Sequence, residues 1–429
     1  MVVVIDSIMG SGKTTYMIDH INRSYEERCV DGAYNPFADY PRYMFVTPFL
    51  KEVDRIKGAC PKLDFRSPVT KGGAKLNHLD DLVRRGSNIA MTHALFYNVT
   101  DELSRLIADM GYTLILDEVI QCVEIDDTLT KSDKELISKS EMVLFDEVGN
   151  ASWNEAKYAP YNGKFNKVRD LCRNNKLHRY GPNTYIKTMP LGYITSFKEV
   201  FIMTYMYKAS VLSSCLAVEG VPVAMKTLID GKLVAMNGKS HEQAIRRDLQ
   251  GKIAIHDGPQ NKYGKQEGNE QPFSKGWLRR CTPEMVRAIK ASVGYYFKSV
   301  AKSKSFYNAW TTLKEAMVYF KGDGYAKGFI TVNARATNEY GHKTALAYLA
   351  NMFPNPILVQ YLHKRGIEWD QDLYALSEML QWIWRSAIRN GEPISIFIPS
   401  ERMRNLLIDW LNDDLAIDQH EVVPQLLAA

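Results

Sequence analysis

The first patterned stretch of the chain is Val2 to Ile5, an uninterrupted β-branched run of the kind found in a strand buried on both faces of a parallel sheet. Apolar runs of the same character recur at "MFVTPFLKEVDRI" (Met44 to Ile56), "NIAMTHALF" (Asn88 to Phe96), "YTLILDEV" (Tyr112 to Val119), "VFIMTYM" (Val200 to Met206) and "PISIFIP" near residue 395. Between them the period changes. Met17, Ile18 and Ile21 follow the first run at helical spacing, and "DELSRLIADM" makes a helix-sized connection before Tyr112. Strands that alternate with helices predict an α/β chain built on parallel sheets.

Further along, "EGVPVAMKTLIDGKLVAMNGKSHEQAIRRDLQGKIAIHDG" alternates apolar and polar residues around glycine turns and reads as β-rich, and Asn261 to Trp277 reads as a polar loop. "LRRCTPEMVRAIKASVGYYFKSVAKSKSFYNAWTTLKEAM" reads as basic helix, and Gly328 to Leu349 as strand, loop and helix. The tail begins as an amphipathic helix and ends acidic. No internal repeat, heptad run or low-complexity tract interrupts the pattern.

Length and composition sharpen this picture only a little. A chain of 429 residues, 45% hydrophobic and 24% charged, has material for two or three domains. A net charge of +5 is compatible with a nucleic-acid partner without arguing for one. The six cysteines are scattered with no C-x-x-C pair, a pattern that suggests neither a disulfide framework nor a zinc site and predicts a reducing cytoplasm. The opening "MVVVIDSIMG" lacks the basic lead of a signal peptide, and no run is long enough to span a bilayer, so no membrane role is expected.

The candidate chemistry starts directly after the first strand. "SIMGSGKT" (Ser7 to Thr14) places a glycine turn between a strand and a helix, the context of a phosphate-binding loop. Gly10, Ser11 and Gly12 turn backbone N–H groups toward phosphates, Lys13 reaches the β and γ oxygens, and Thr14 takes Mg²⁺ with Thr15 beside it. Serine stands at position 7 where the general pattern has glycine. Such a loop needs a second strand ending in Asp for the metal, followed by Glu for the attacking water. "YTLILDEV" offers Asp117 and Glu118; "MVLFDEV" (Met142 to Val148) offers Asp146 and Glu147. The longer buried run favours the first pair and leaves the second as the alternative.

Taken in order, "GSGKTT", "MFVTPFLKEVDRI", "MTHALF", "LILDEV" and "VFIMTYM" resemble the first RecA-like domain of superfamily 2 helicases, in a compact phage-type form. The resemblance implies two RecA-like parallel-sheet domains with helical and basic insertions. The first spans 1–210, with a basic insertion at about 150–190; the second spans 211–429, with an insertion at about 225–320. It implies that Thr47, Pro48, Thr92 and His93 touch the nucleic-acid backbone, joined by Arg335, Thr337 and Asn338 near the fifth motif. "LQWIWRSAIRNG" resembles the sixth motif: Gln381 and Arg385 keep the family interval and Arg389 falls one position late, so either arginine is the candidate finger, with Gln381 at the nucleotide.

The implied activity is a helicase or translocase driven by ATP and Mg²⁺, on single-stranded or forked DNA, with replication proteins as possible company. A P-loop kinase and a non-hydrolysing ATP-gated DNA-binding adaptor are the alternatives. The segment "WNEAKYAPYNGKFNKVRDLCRNNKLHRYGPNTYIK" interleaves cations with rings, which suits a nucleic-acid strand or, equally, a solvated helix with aromatics in its core.

Overall fold

Val2–Asp6 (β1) sits in the middle of a seven-stranded sheet in the computed structural model of the chain. The structure describes residues 1–35, 37–70, 74–236, 240–333 and 339–413. The other strands are Tyr43–Thr47 (β2), Ile89–Thr92 (β3), Thr113–Asp117 (β4), Glu199–Thr204 (β5), Val223–Ile229 (β6) and Lys232–Ala235 (β7). Their order is β7-β6-β1-β5-β4-β2-β3, parallel throughout except for the β6–β7 hairpin.

Alternate residues along each strand feed two different cores, as the period of two requires. Val4, Met44, Leu114 and Ile202 pack on one face; Ile5, Phe45, Ile115 and Met203 pack on the other with Met17 and Ile21 of the helix Lys13–Glu26 (α1). Apolar burial on both faces is why these runs show no polar alternation.

This first unit comprises Met1–Ala235 together with Ile357–Trp369. It therefore runs past the boundary expected at 210. "VPVAMKTLIDGKLVAM" is not part of a second-domain insertion: Val2 to Ile5 pair with Val223 to Lys226, and the hairpin then turns at Asp230 and Gly231, both at positive φ (47° and 73°). Such a two-residue turn matches the twist of its strands. The segment 357–369 returns to the same core through Leu358, Tyr361 and Leu362, and Trp369 Nε1 donates to the Ala209 carbonyl at 2.9 Å.

Between β4 and β5 lies a small antiparallel subdomain, wider than the basic insertion expected at about 150–190. Val123–Ile125 and Leu177–Tyr180 flank Thr184–Thr188, and Val143–Phe145 pairs with Ala151–Trp153. Ile137, Trp153, Val168 and Tyr185 form its own core. Its cations are largely paired at home. Arg173 forks onto Glu155 at 2.6 and 2.8 Å, Arg169 pairs with Asp170, and Lys164 reaches Asp133. Lys176 is buried and donates to the carbonyls of Tyr97 and Val99, the latter at 2.6 Å, and burial pushes its ammonium down to about 8.

The second unit, Met236–Pro356 with the described residues 370–413, carries a four-stranded sheet. Ile253–His256 (β8), Asn308–Thr312 (β9), Ala345–Leu349 (β10) and Ile394–Phe397 (β11) are all parallel in the order β8-β11-β10-β9. Residues 225–320 are thus no insertion here, since β8 and β9 are half of the sheet. Two local readings change with it. "ALAYL", expected as helix, is the fully buried strand β10, and "NAWTT", expected inside a basic helix, is β9. The preceding helix does form, over Pro283–Tyr295. The chain is accordingly α/β with a parallel-sheet unit in each half.

Candidate functional site

The glycine turn after β1 makes the geometry its sequence asks for. Gly10 and Gly12 have φ of 84° and 86°, a region closed to most side chains, and nothing stands within 4 Å of where a Cβ would be. α1 begins at Lys13, so its first N–H groups face the loop. Ser11 Oγ is buried and has no hydrogen-bond partner. Lys13 Nζ donates to the carbonyls of Ser7 and Ile8, at 3.0 Å for the second. Desolvation pushes its pKa down to about 8 against the pull of Asp6, Asp117 and Glu118. Thr15 is exposed on the first turn of the helix.

β4 delivers the carboxylates. It is not adjacent to β1, because β5 lies between them. Even so, the Thr14 hydroxyl donates to Asp117 Oδ1 at 3.2 Å, and the Thr47 hydroxyl at the end of β2 lies 3.4 Å from Oδ2. Burial, with Glu118 beside it, raises Asp117 to about 6. A carboxylate held up in this way gains from a cation. Among the described residues no cluster of three His, Cys, Asp or Glu side chains forms a metal cage. A hydroxyl and one carboxylate suit Mg²⁺, which keeps waters and takes its other ligands from phosphates. Glu118 follows at φ 69°, and its N–H donates to the Met203 carbonyl at 2.9 Å. A non-glycine residue held there is a strained position of the kind that clusters at functional sites.

Two polar residues at the end of β1 brace the loop: Ser7, the motif's first position, and Asp6, which lies outside it. Ser7 Oγ lies 2.9 Å from Thr227 Oγ1 and accepts from the Leu228 N–H at 2.8 Å, which ties the loop to β6 and gives the serine at this position a structural use. The buried Asp6 carboxylate accepts the N–H groups of Met206 and Tyr207, both at 2.8 Å, across the end of β5. A polar residue closing a buried strand is the one signal for Asp6.

The remaining predicted positions are distributed as follows. Thr47 is 0% exposed with its hydroxyl on Asp117, and Pro48 after it is half-buried. Thr92 caps the helix His93–Tyr97 by accepting from Leu95 N, and His93 Nε2 lies 3.0 Å from the Asp117 carbonyl oxygen. Arg335, Thr337 and Asn338 lie outside the described residues. In the second unit, Gln381 reaches Ser377 Oγ at 3.4 Å, Arg385 is 7% exposed, and Arg389 is exposed on the short turn Ala387–Asn390. The rival carboxylate Asp146 closes the hairpin turn of the inserted subdomain, accepting from Val148 N, Asn150 N and Asn150 Nδ2 at 3.1, 2.7 and 2.7 Å.

Comparison with known proteins gives two family models and one long match. Residues 247–411 match the YonV C-terminal Rossmann-like domain, and residues 124–184 match the YonV middle domain, which is the inserted antiparallel subdomain. Among solved structures, S. tokodaii Xpd4 is similar at 9% identity and TM-score 0.46, over 95% of this chain and 93% of that one. An XPD helicase is similar at 12% identity and TM-score 0.46, over 96% and 95%. The DUF1998 helicase MrfA bound to DNA and AMPPNP is similar at 10% identity and TM-score 0.31, over 96% of this chain and 48% of that one. The SPbeta prophage-derived uncharacterized protein YonV of Bacillus subtilis (strain 168) is 34% identical over 422 residues, 96% of this chain and 98% of that protein. Matched over nearly its whole length, the chain belongs to the YonV family.

Proposed function

We propose that the chain is an ATP-driven nucleic-acid motor, a helicase or translocase with DNA as the expected strand. The observation that carries this reading is the meeting of Thr14 and Asp117 at 3.2 Å beside Lys13, with Glu118 next in the chain. The backbone of Gly10 to Gly12 and the Lys13 ammonium bind the phosphates, the latter giving up the carbonyls of Ser7 and Ile8. Thr14 and Asp117 would hold Mg²⁺, which would supply positive charge to the phosphates. Glu118 orients the attacking water. The superfamily 2 resemblance gives the finger role to Arg385 or Arg389; alanine at the true finger leaves ATP binding intact and removes turnover. A second parallel-sheet unit in the same chain supports a motor over a small-molecule kinase, which has no use for it.

The test is ATP hydrolysis by the full chain, titrated with single-stranded DNA, single-stranded RNA and forked duplex, with Lys13→Ala as the blank. Turnover that rises with a strand and vanishes in the blank is the expected result. Turnover indifferent to every strand selects the kinase reading, and strand binding without phosphate release selects the ATP-gated adaptor.

A further inference from the structure

The rings and cations of the second unit are arranged quite differently from those of the inserted subdomain. The turn Ser305–Tyr307, which leads into β9, presents two large rings to solvent: Phe306 is 62% exposed and Tyr307 42%, with centroids 5.1 Å apart and planes at 85°. Phe306 is not a loose tip. Its ring stacks on His342 with centroids 4.3 Å apart and 22° between planes. Lys343, itself buried, donates to the Phe306 carbonyl at 2.6 Å and lies 5.5 Å from the ring centroid. Thr344 N donates to the Tyr307 carbonyl at 3.1 Å, so the turn is anchored to the loop before β10 as well as to β9. A ring already fixed in the open lets a flat partner stack without further loss of side-chain freedom.

The surrounding charge is unspent. Lys304 opens the turn, its carbonyl accepting from Tyr307 N at 2.8 Å. Lys327 lies on the neighbouring turn Ala326–Gly328, which packs against Ser305–Tyr307. Both side chains are exposed, and neither pairs with an acid among the described residues.

We propose that Phe306 and Tyr307, backed by His342 and flanked by Lys304 and Lys327, form a stacking platform for the bases of single-stranded nucleic acid. The proposal rests on the nucleic-acid reading and adds to it the residues that take the bases. Exposed ring faces match unpaired bases, which a duplex hides, and the unpaired cations match the phosphates between them.

The experiment is fluorescence anisotropy on the full chain with three labelled probes: a single-stranded deoxyoligonucleotide, an abasic strand of the same length, and a blunt duplex. Phe306→Ala should weaken the base-containing strand about tenfold and leave the abasic strand nearly unchanged. Phe306→Trp should restore binding. Lys304→Ala should weaken both strands and lower the salt slope by about one. Melting temperature and nucleotide binding should not move in Phe306→Ala, since the ring is exposed. Normal strand binding by Phe306→Ala, or an equal loss on the abasic strand, overturns the platform alone. Failure of the unmodified chain to bind any strand removes the nucleic-acid reading and the platform with it. A Phe306→Ala chain that binds strands normally but loses a protein partner assigns the face to that partner instead.

Discussion

"LILDEV" and "LFDEV" are nearly the same word, and the molecule uses them for opposite purposes. The first ends β4 in a parallel sheet, where Asp117 faces Thr14 and Thr47 and Glu118 is held at positive φ. The second ends one arm of an antiparallel hairpin, where Asp146 is consumed by its own turn and Glu147 is exposed. The longer apolar run favours the first in the sequence, and the neighbouring strands give the two carboxylates different surroundings. At Asp117 the helix α1 brings the Thr14 hydroxyl and β2 brings the Thr47 hydroxyl to the carboxylate, whereas Asp146 meets the donors of its own turn.

The strongest way to break this contrast is at the glutamates. Glu118→Gln should keep ATP binding and lose at least about a hundredfold in turnover, while Glu147→Gln should leave turnover unchanged; single-turnover phosphate release with a parallel nucleotide-binding titration reads both. Normal hydrolysis by the first variant would reverse the assignment. Next comes the Thr47 hydroxyl. Thr47→Val should raise the Mg²⁺ concentration needed for half-maximal hydrolysis by about tenfold and leave strand affinity alone, with Thr47→Ser restoring it. A loss of strand affinity at unchanged Mg²⁺ dependence would return Thr47 to the backbone-contact role that the motif implies.

The inserted subdomain can be loosened without touching either pair. Lys176→Met leaves the carbonyls of Tyr97 and Val99 bare and should cost about 2 kcal/mol in a denaturant titration. The smallest effect is expected at Asp146→Asn, which keeps part of the turn's hydrogen bonding. A slight drop in melting temperature with unchanged hydrolysis is the expected outcome. Any rise in Mg²⁺ requirement there would erase the difference between the two words.

Much of the first unit was legible, because its strands are apolar on both faces and its loop chemistry is local. Val2–Asp6, Gly10 to Thr14 and Thr113–Asp117 carry their meaning within a few residues. The second unit was harder. "ALAYL" is short and alanine-rich, and a run of that length has no period by which to tell strand from helix. "NAWTT" follows a basic helix with no glycine or proline to announce the change. The hairpin β6–β7 was read as β, yet its attachment to β1 is a long-range pairing that no local pattern encodes. The two basic, aromatic stretches looked alike on paper. Pairing partners distant in the chain, such as Glu155 for Arg173, neutralise the first, and their absence among the described residues leaves Lys304 and Lys327 of the second open.

Asp6 offers a last lesson about the segment "VFIMTYM". The tether from β1 to the turn after β5 is made wholly by main-chain N–H groups at Met206 and Tyr207. Any amino acid except proline supplies that donor. The spelling of the turn is therefore free to drift while the link persists, and a search by letters will overlook a tether whose acceptor sits two hundred residues upstream.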